Sequence, residues 1–177
     1  DSWSQLPDCK HINGSITVIN GWLTTVGGDN SNQLFSLTGK RNERRWTEKF
    51  PPMPTKRRLT TALCTGTALI VAGGVGEHRV LSTVEVMDTE SHQWSTAADL
   101  PQPMYGASAT VCGDCIYMLG GCDEHGTPVK SVYTVSVSAL LQSCATSSLA
   151  AKLKRTSLTG TASKWRQVAD LPVRLDR

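Results

Sequence analysis

A pair of adjacent glycines occurs three times in this chain of 177 residues, at nearly constant intervals. The pairs are Gly27-Gly28, Gly73-Gly74 and Gly120-Gly121, and successive pairs lie 46 and 47 residues apart. Each pair closes an apolar run, which predicts a strand that ends where the backbone needs residues without a Cβ. A fixed period of this length indicates a repeat protein in which each repeat is one small structural unit.

A tryptophan follows each glycine pair, and a proline-containing turn follows each tryptophan. The three tryptophans are Trp46, Trp94 and Trp165, and the same ending opens the chain at Trp3. An aromatic residue on an outer strand can cover the gap between neighbouring units with a large apolar area. We therefore expect the glycine pairs and these tryptophans to be structural.

Short apolar or alternating segments separated by turn-forming residues lie between these markers. They predict four strands, termed a to d, in each unit. The predicted strands are 15–19, 22–28, 33–38 and 45–50 in the first unit, 59–65, 67–74, 83–88 and 93–98 in the second, and 107–112, 115–121, 131–137 and 164–169 in the third. The predicted fold is all-β, with three four-stranded antiparallel sheets.

Four strands per unit and a period near fifty residues resemble the kelch repeat. The Val-Glu-Val-Met-Asp run at 84–88 and the spaced tryptophans add to the resemblance, which covers nearly the whole chain. It implies a kelch-type β-propeller with three blades of an incomplete ring, since known propellers use about four to eight blades. The expected divisions are the end of a preceding blade at 1–8, blades at 9–54, 55–101 and 102–172, and the start of a next blade at 173–177. We expect the chain to be a segment of a longer protein.

The third unit is longer than the other two, and its extra length falls at about 138–163. This insertion is rich in Ser, Thr, Ala and Lys and has few aromatic residues, which predicts a mobile loop. A short helix at 149–153 would be marginal alone. The segment 154–157, with two basic residues before two hydroxyls, suits either a basophilic kinase or a solvated loop without regulation.

The up-and-down strand order places the d–a loops and the b–c loops on one face, and loops held by a rigid scaffold commonly carry binding residues. In kelch proteins that this chain resembles, that face commonly binds a peptide or protein. The candidate partner-binding residues on it are Asn30, Arg57, Arg58, His78, Arg79, Tyr105, Asp123 and His125. We expect Arg57, Arg58 and Arg79 to converge on an acidic partner, because guanidinium groups bind carboxylates well. Each charge alone also fits a solvated loop residue.

Two other function classes remain open. Galactose-oxidase-like propeller enzymes resemble this fold and hold copper with Tyr and His, but here only His78, His125 and Tyr105 fall on the proposed face, and they form no close-spaced ligand pair. No nucleotide-binding or serine-hydrolase motif is present in the sequence. A cytoskeletal scaffold or cross-linker is the second alternative. A role as a ubiquitin-ligase adaptor rests only on analogy with other kelch proteins. The sequence favours a non-catalytic protein-binding module without a cofactor.

Composition excludes other partners and indicates a compartment. The net charge of +3 is too small and too scattered to favour nucleic acid, and no apolar stretch is long enough for a membrane span. With no signal segment visible, the protein is expected to be intracellular and cytoplasmic, with its six cysteines as free thiols. Cys112 and Cys115 flank Gly113-Asp114, which predicts a type I′ hairpin turn. A zinc or redox site is the alternative, but no second C-x-x-C completes it.

Overall fold

The structure, a computed structural model, describes residues 5–9, 11–29, 31–40, 43–144 and 164–170. Within these residues, twelve strands form three four-stranded antiparallel sheets, and strands that are consecutive in sequence are neighbours in each sheet. This confirms the predicted fold class. None of the described helices is long and apolar enough to cross a membrane.

Each sheet corresponds to one repeat unit. The first contains β1 (Ser15–Ile19), β2 (Trp22–Gly28), β3 (Ser31–Thr38) and β4 (Arg45–Glu48). The middle sheet contains β5 (Thr61–Cys64), β6 (Ala68–Ala72), β7 (Val84–Asp88) and β8 (Trp94–Thr96). The third contains β9 (Ser108–Cys112), β10 (Cys115–Leu119), β11 (Ser131–Ser136) and β12 (Arg166–Asp170). The predicted bounds are correct at β1 and β2. Elsewhere the predicted strands are up to three residues too long, β3 begins two residues earlier than predicted, and β12 ends one residue later.

The a strands lie side by side, with β1 against β5 and β5 against β9. Hydrogen bonds join these neighbours directly: the Ala62 amide donates to Ser15 Oγ at 3.1 Å, and Thr61 Oγ1 donates to the Ala107 carbonyl at 2.7 Å. The d strands lie at the far edge of each sheet. The three sheets are therefore arranged as successive blades around one inner edge, and the ring is not closed.

The core lies between the sheets, and the middle sheet contributes to both parts of it. Leu69, Val71 and Met87 pack with the first sheet. Their neighbours in the strands, including Ile70 and Val86, pack with the third sheet. Successive side chains of a strand point to opposite faces, so a strand covered on both faces needs apolar residues at every position. This explains the continuous apolar run in β6.

In the first two pairs, the first glycine lies where a side chain would meet the next sheet. Gly27 has φ +65°, and a Cβ there would be 2.5 Å from the Arg57 carbonyl oxygen. Gly73 has φ +61°, and its Cβ would be 2.5 Å from the Met104 carbonyl oxygen. Both the positive φ and the close backbone approach require glycine. The structure places Gly120 at the matching position with φ +73°, but no described heavy atom lies within 4 Å of its Cβ position.

The second glycine of each pair is Gly28, Gly74 or Gly121. The amides of the first two bond to the next sheet's loop, to the carbonyls of Arg57 and Met104 at 3.0 and 2.8 Å. The tryptophan side chains bond instead to backbone that lies earlier in the chain. The indole nitrogens of Trp46, Trp94 and Trp165 donate to the carbonyls of Pro7, Pro51 and Ala98. Each tryptophan thus reaches the backbone that precedes its own sheet.

The hairpin turns show two conformations. Asn20 and Gly21 between β1 and β2 both have positive φ, 48° and 79°, as a type I′ turn requires. Between β9 and β10 only Gly113 has positive φ, at 60°, and Asp114 does not. The expected type I′ turn is therefore wrong at this position. A glycine with positive φ at the first central position alone is typical of type II′.

The third unit differs from prediction at the start of its insertion. Helix α1 (Val137–Gln142) follows β11 directly, and Ser136 caps it by accepting a hydrogen bond from the Ala139 amide. Ala139, Leu140, Leu141 and Cys144 are buried in the core with the third sheet. A mobile loop is therefore wrong for residues 138–144, because their apolar side chains pack against the sheet. The predictions for 149–153, for 154–157 and for 173–177 lie outside the described residues.

Candidate partner-binding face

The d–a and b–c loops meet at one edge of the sheets. Gly28, at the end of β2, bonds to the loop before β5, and Arg58 in that loop forms an isolated β-bridge with Val75, after β6. Tyr105, before β9, forms the matching bridge with Cys122, after β10. These main-chain bonds hold the loops of neighbouring strands together. We call this edge the binding face.

A groove of about 490 Å³ opens on this face between the middle and third sheets. It brings together four of the candidate residues predicted from sequence, and apolar and acidic residues complete its wall. The groove is lined by Arg58, Val75, Gly76, Glu77, His78, Arg79, Val80, Glu124 and His125. A smaller cavity of about 290 Å³ shares part of this wall and adds Lys56 and Arg57.

A tight loop presents two of the candidate residues. Val75 bridges to Arg58 on one side and to Val80 on the other, and the Gly76 amide donates to the Arg79 carbonyl at 2.9 Å. The backbone is therefore hydrogen-bonded at both ends of the loop. His78, between these bonds, and Arg79 are exposed. A loop held in this way can present side chains without ordering its backbone at the moment of binding.

Arg57 does not line the larger groove, which corrects the sequence prediction. Only 1% of it is exposed, and its Nη2 lies 3.0 Å from Glu85 Oε1. Its Nη1 donates to the carbonyls of Gly73 and Thr83, at 3.0 and 3.1 Å. Burial lowers the pKa of the Arg57 guanidinium, and the Glu85 carboxylate opposes that shift. Arg57 therefore joins the d–a loop to β7 inside the protein, and its guanidinium is already paired with Glu85.

Arg58, the next residue, points to solvent. Its side chain is 45% exposed, and its Nε lies 3.9 Å from Asp29 Oδ1. The Asp29 carboxylate also accepts two hydrogen bonds from Asn13 Nδ2, both at 3.2 Å. An exposed ion pair of this length contributes little to stability. A carboxylate from a partner can therefore replace Asp29 beside Arg58 at small cost.

The loop of the third sheet is shaped by Asp123. Its Oδ1 accepts from the amides of His125 and Thr127, at 2.9 and 2.8 Å. These bonds, the one from Thr127 first, lower the pKa of Asp123. Asp123 therefore positions His125, whose Nε2 lies 3.8 Å from Glu124 Oε1. Asp123 does not line the groove itself.

Among the described candidates, Tyr105 does not line the groove. Tyr105 is half-buried, and its main chain is bonded to Cys122. Asn30 lies outside the described residues. Within the part of the chain that the structure describes, no three His, Cys, Asp or Glu residues are grouped closely enough to hold a metal ion.

Sequence reasoning missed the pairing of Arg57 with Glu85. The sequence contained a signal for this pairing, because Glu85 interrupts the apolar residues of β7 (Val84–Asp88). A buried carboxylate in such a strand needs a cationic partner. It also missed Val75, Gly76 and Val80, which form the groove wall through their position in the loop. Their residue types carry no signal of such a role.

The sheets, their shared inner edge and the loop face define a β-propeller-type repeat protein. The structure is similar to the solved structure titled "Structure of YjhT", with a TM-score of 0.71 and 14% identity, over 94% of this chain and 53% of that one. At this identity the likeness concerns the fold alone. The model of the Kelch motif matches residues 56–101 and 103–138.

Several curated proteins are similar in sequence. Kelch-like protein 35 of Mus musculus is 36% identical over 83 residues, which are 47% of this chain and 14% of that protein. Kelch-like protein 36 of Rattus norvegicus is 32% identical over 122 residues, 67% of this chain and 19% of that protein. Kelch-like protein terF of Aspergillus terreus is 27% identical over 144 residues, 74% of this chain and 31% of that protein. The chain belongs to the kelch-repeat family, and it spans less than a third of the length of these relatives.

Proposed function

We propose that this chain is a non-catalytic protein-binding module that captures an acidic peptide or protein segment in the groove of the binding face. The observation that carries the proposal is the convergence of Arg58, His78, Arg79 and His125, from three loops and two sheets, around one opening. The kelch-like relatives support a protein-interaction role in general. Only the cationic side chains of the groove indicate that the partner is acidic.

The charges of the groove favour an anionic partner, although acidic residues are present. Lys56, Arg58 and Arg79 are exposed cations around the two adjoining cavities, and Glu77 and Glu124 are the acidic residues there. Arginine side chains bind carboxylates with two parallel hydrogen bonds, which gives geometric specificity as well as energy. The apolar wall at Val75 and Val80 suits an aliphatic or aromatic side chain next to the acidic residue of the partner.

The first experiment selects short peptides from a random display library for binding to the immobilised 177-residue chain. Each enriched peptide is then synthesised together with a counterpart in which Asp and Glu are replaced by Asn and Gln. We expect acidic peptides to be enriched and their amide counterparts to bind at least tenfold more weakly. Each well-formed charge-assisted hydrogen bond contributes about 1.5–3 kcal/mol, and about 1.4 kcal/mol corresponds to tenfold.

Charge reversal then locates the site. Arg58→Glu and Arg79→Glu should each weaken binding of the acidic peptide by tenfold or more, measured by isothermal titration calorimetry. The matched control is Arg166→Glu on β12, an exposed arginine that does not line the groove. Asp29→Asn should strengthen binding, because it removes the carboxylate beside Arg58. Enrichment of neutral or basic peptides, or equal weakening by Arg166→Glu, would contradict the proposal.

A further inference from the structure

The hairpin between β9 and β10 places two cysteines directly opposite each other. Cys112 is the last residue of β9 and Cys115 the first of β10, and the two are paired in the antiparallel register across the turn formed by Gly113 and Asp114. Side chains of directly opposed residues lie on the same face of a sheet. The two thiols are therefore neighbours because of the fold.

The spacing of such a pair suits a disulfide after a small movement. Directly opposed residues of antiparallel strands have Cα atoms roughly 4.5–5.5 Å apart, within the range of roughly 4.4–6.8 Å found for disulfides. Their Cβ atoms are roughly 4.5–5.5 Å apart, compared with about 3.8 Å in a disulfide. Closure therefore requires a movement of about 1 Å, and the resulting bond is strained. Strained and exposed disulfides are readily reduced.

The pair is also accessible. Cys112 is exposed and Cys115 is half-buried, whereas Cys144 is buried in the core. Cys112 and Cys115 are not joined by a disulfide in the structure. In the register of the described strands, Cys64 on β5 is opposite Leu69, so it has no thiol across from it. Cys112 and Cys115 thus combine solvent access for one thiol with a second thiol directly opposite.

We propose that Cys112 and Cys115 form a reversible oxidation site, reduced at rest and converted to a disulfide by a hydroperoxide. The Cys112 thiolate attacks one oxygen of the hydroperoxide, so that an S–O bond forms as the O–O bond breaks, leaving a sulfenic acid on Cys112. The leaving alkoxide, or hydroxide from hydrogen peroxide, takes up the proton that the thiol lost and departs as an alcohol or water. The Cys115 sulfur then attacks the sulfenic sulfur, forming the S–S bond and releasing water. The two thiols lose two electrons and the peroxide gains them.

The turn between the cysteines is bonded to helix α1. Asp114 Oδ2 accepts from Ser136 Oγ at 2.6 Å and from Ser138 Oγ at 2.9 Å. The Asp114 carbonyl accepts from the Val137 amide at 2.7 Å. Closing the disulfide moves the turn, and these bonds transmit the movement to the first turn of α1. Oxidation on this hairpin therefore loosens the start of the helix.

The disulfide is tested with hydrogen peroxide as the oxidant, followed by alkylation with N-ethylmaleimide and mass spectrometry of the tryptic peptide 80–130. This peptide also contains Cys122, so the experiment uses the Cys122→Ser background. We expect a peptide two hydrogens lighter than the reduced form, unalkylated until dithiothreitol restores two thiols. Cys112→Ser and Cys115→Ser should each abolish this product, and Cys64→Ser, the control, should not. A peptide that keeps both thiols free, or gains oxygen irreversibly at Cys112 or Cys115, would overturn the proposal.

The transmission to α1 is tested by hydrogen exchange of the same oxidised sample. The Val137 amide should exchange at least several-fold faster after disulfide formation, and dithiothreitol should restore the slower rate. In Cys112→Ser, peroxide should leave this rate unchanged. An unchanged rate in fully disulfide-bonded protein would overturn the transmission to α1.

Discussion

The middle and third sheets are built from the same repeat, but they differ in burial. Every residue of β6 and β7 in the middle sheet is buried. In the third sheet, every residue of β12 is exposed, and β9 is exposed at all positions except Ala109. The middle sheet has a described sheet on each side, and the third has one only on its middle-sheet side. The repeat pattern therefore specifies the strands, whereas the neighbours of a sheet decide which of its residues form core.

The two sheets also differ at one matched position of the core. Arg57 and Met104 each lie in the loop before their sheet, and each carbonyl accepts from the second glycine of the preceding unit. Both side chains are buried, but the middle unit has a guanidinium where the third has a thioether. The middle unit balances this charge with Glu85, and the third has Tyr133 at the matching position of the c strand. At these matched positions the middle unit thus has an ionic pair, and the third unit has Met104 and Tyr133, both in the same core cluster.

The largest expected effect comes from separating the ionic pair. Glu85→Ala should lower the free energy of unfolding by about 3–5 kcal/mol, because it leaves the Arg57 guanidinium buried without its counter-ion. The double variant Arg57→Met with Glu85→Tyr, which copies the third sheet, should recover at least half of that loss. Chemical denaturation monitored by tryptophan fluorescence measures both.

The control for this prediction is Glu48→Ala, which removes an exposed acidic residue of β4 and should change stability by less than about 0.5 kcal/mol. If Glu85→Ala costs no more than Glu48→Ala, the buried pair does not stabilise the middle sheet. If the double variant is as unstable as Glu85→Ala, the two sheets are not interchangeable at this position.

A smaller effect tests burial directly with one substitution in two sheets. Val86→Ala in the middle sheet should cost about 2 kcal/mol, because Val86 is fully buried and its removal leaves a cavity. Val168→Ala in β12 should cost less than about 0.5 kcal/mol, because Val168 is 54% exposed. If the two substitutions cost the same in thermal or chemical unfolding, a neighbouring sheet does not determine how much a strand residue contributes to stability.

The smallest expected effect concerns a position where the middle unit departs from both neighbours. Asn13, Leu59 and Gly106 occupy matching positions before their a strands, and all have positive φ, at 59°, 51° and 67°. Glycine and asparagine tolerate this conformation, whereas for leucine it costs about 1–2 kcal/mol. Leu59→Asn should therefore be more stable than Leu59→Ala by about 1 kcal/mol in the free energy of unfolding. Both variants remove the apolar leucine side chain. An alanine variant as stable as the asparagine variant, or more stable, would contradict the proposed strain at Leu59.

The sequence alone determined the repeat, the number of sheets and the position of nearly every strand. These features depend on local chemistry: apolar runs, turn residues and glycine at positive φ recur within each unit, as at Gly27 and Gly73. The grouping of the loops also followed, because the up-and-down order of strands decides which loops share an edge. Arg58, His78, Arg79 and His125 were predicted on that basis, and the structure groups them at one groove.

Which of the two adjacent arginines is exposed depends on the tertiary structure. Arg57 and Arg58 are identical in type and equally polar, and the sequence contains no local difference that separates them. In the structure, Arg57 faces Glu85 from another segment of the chain and Arg58 faces solvent. The burial of the two leucines of α1 also depends on the tertiary structure, because they pack in the core with residues of the middle and third sheets. Burial depends on contacts between residues far apart in the chain, and a local pattern cannot specify those contacts.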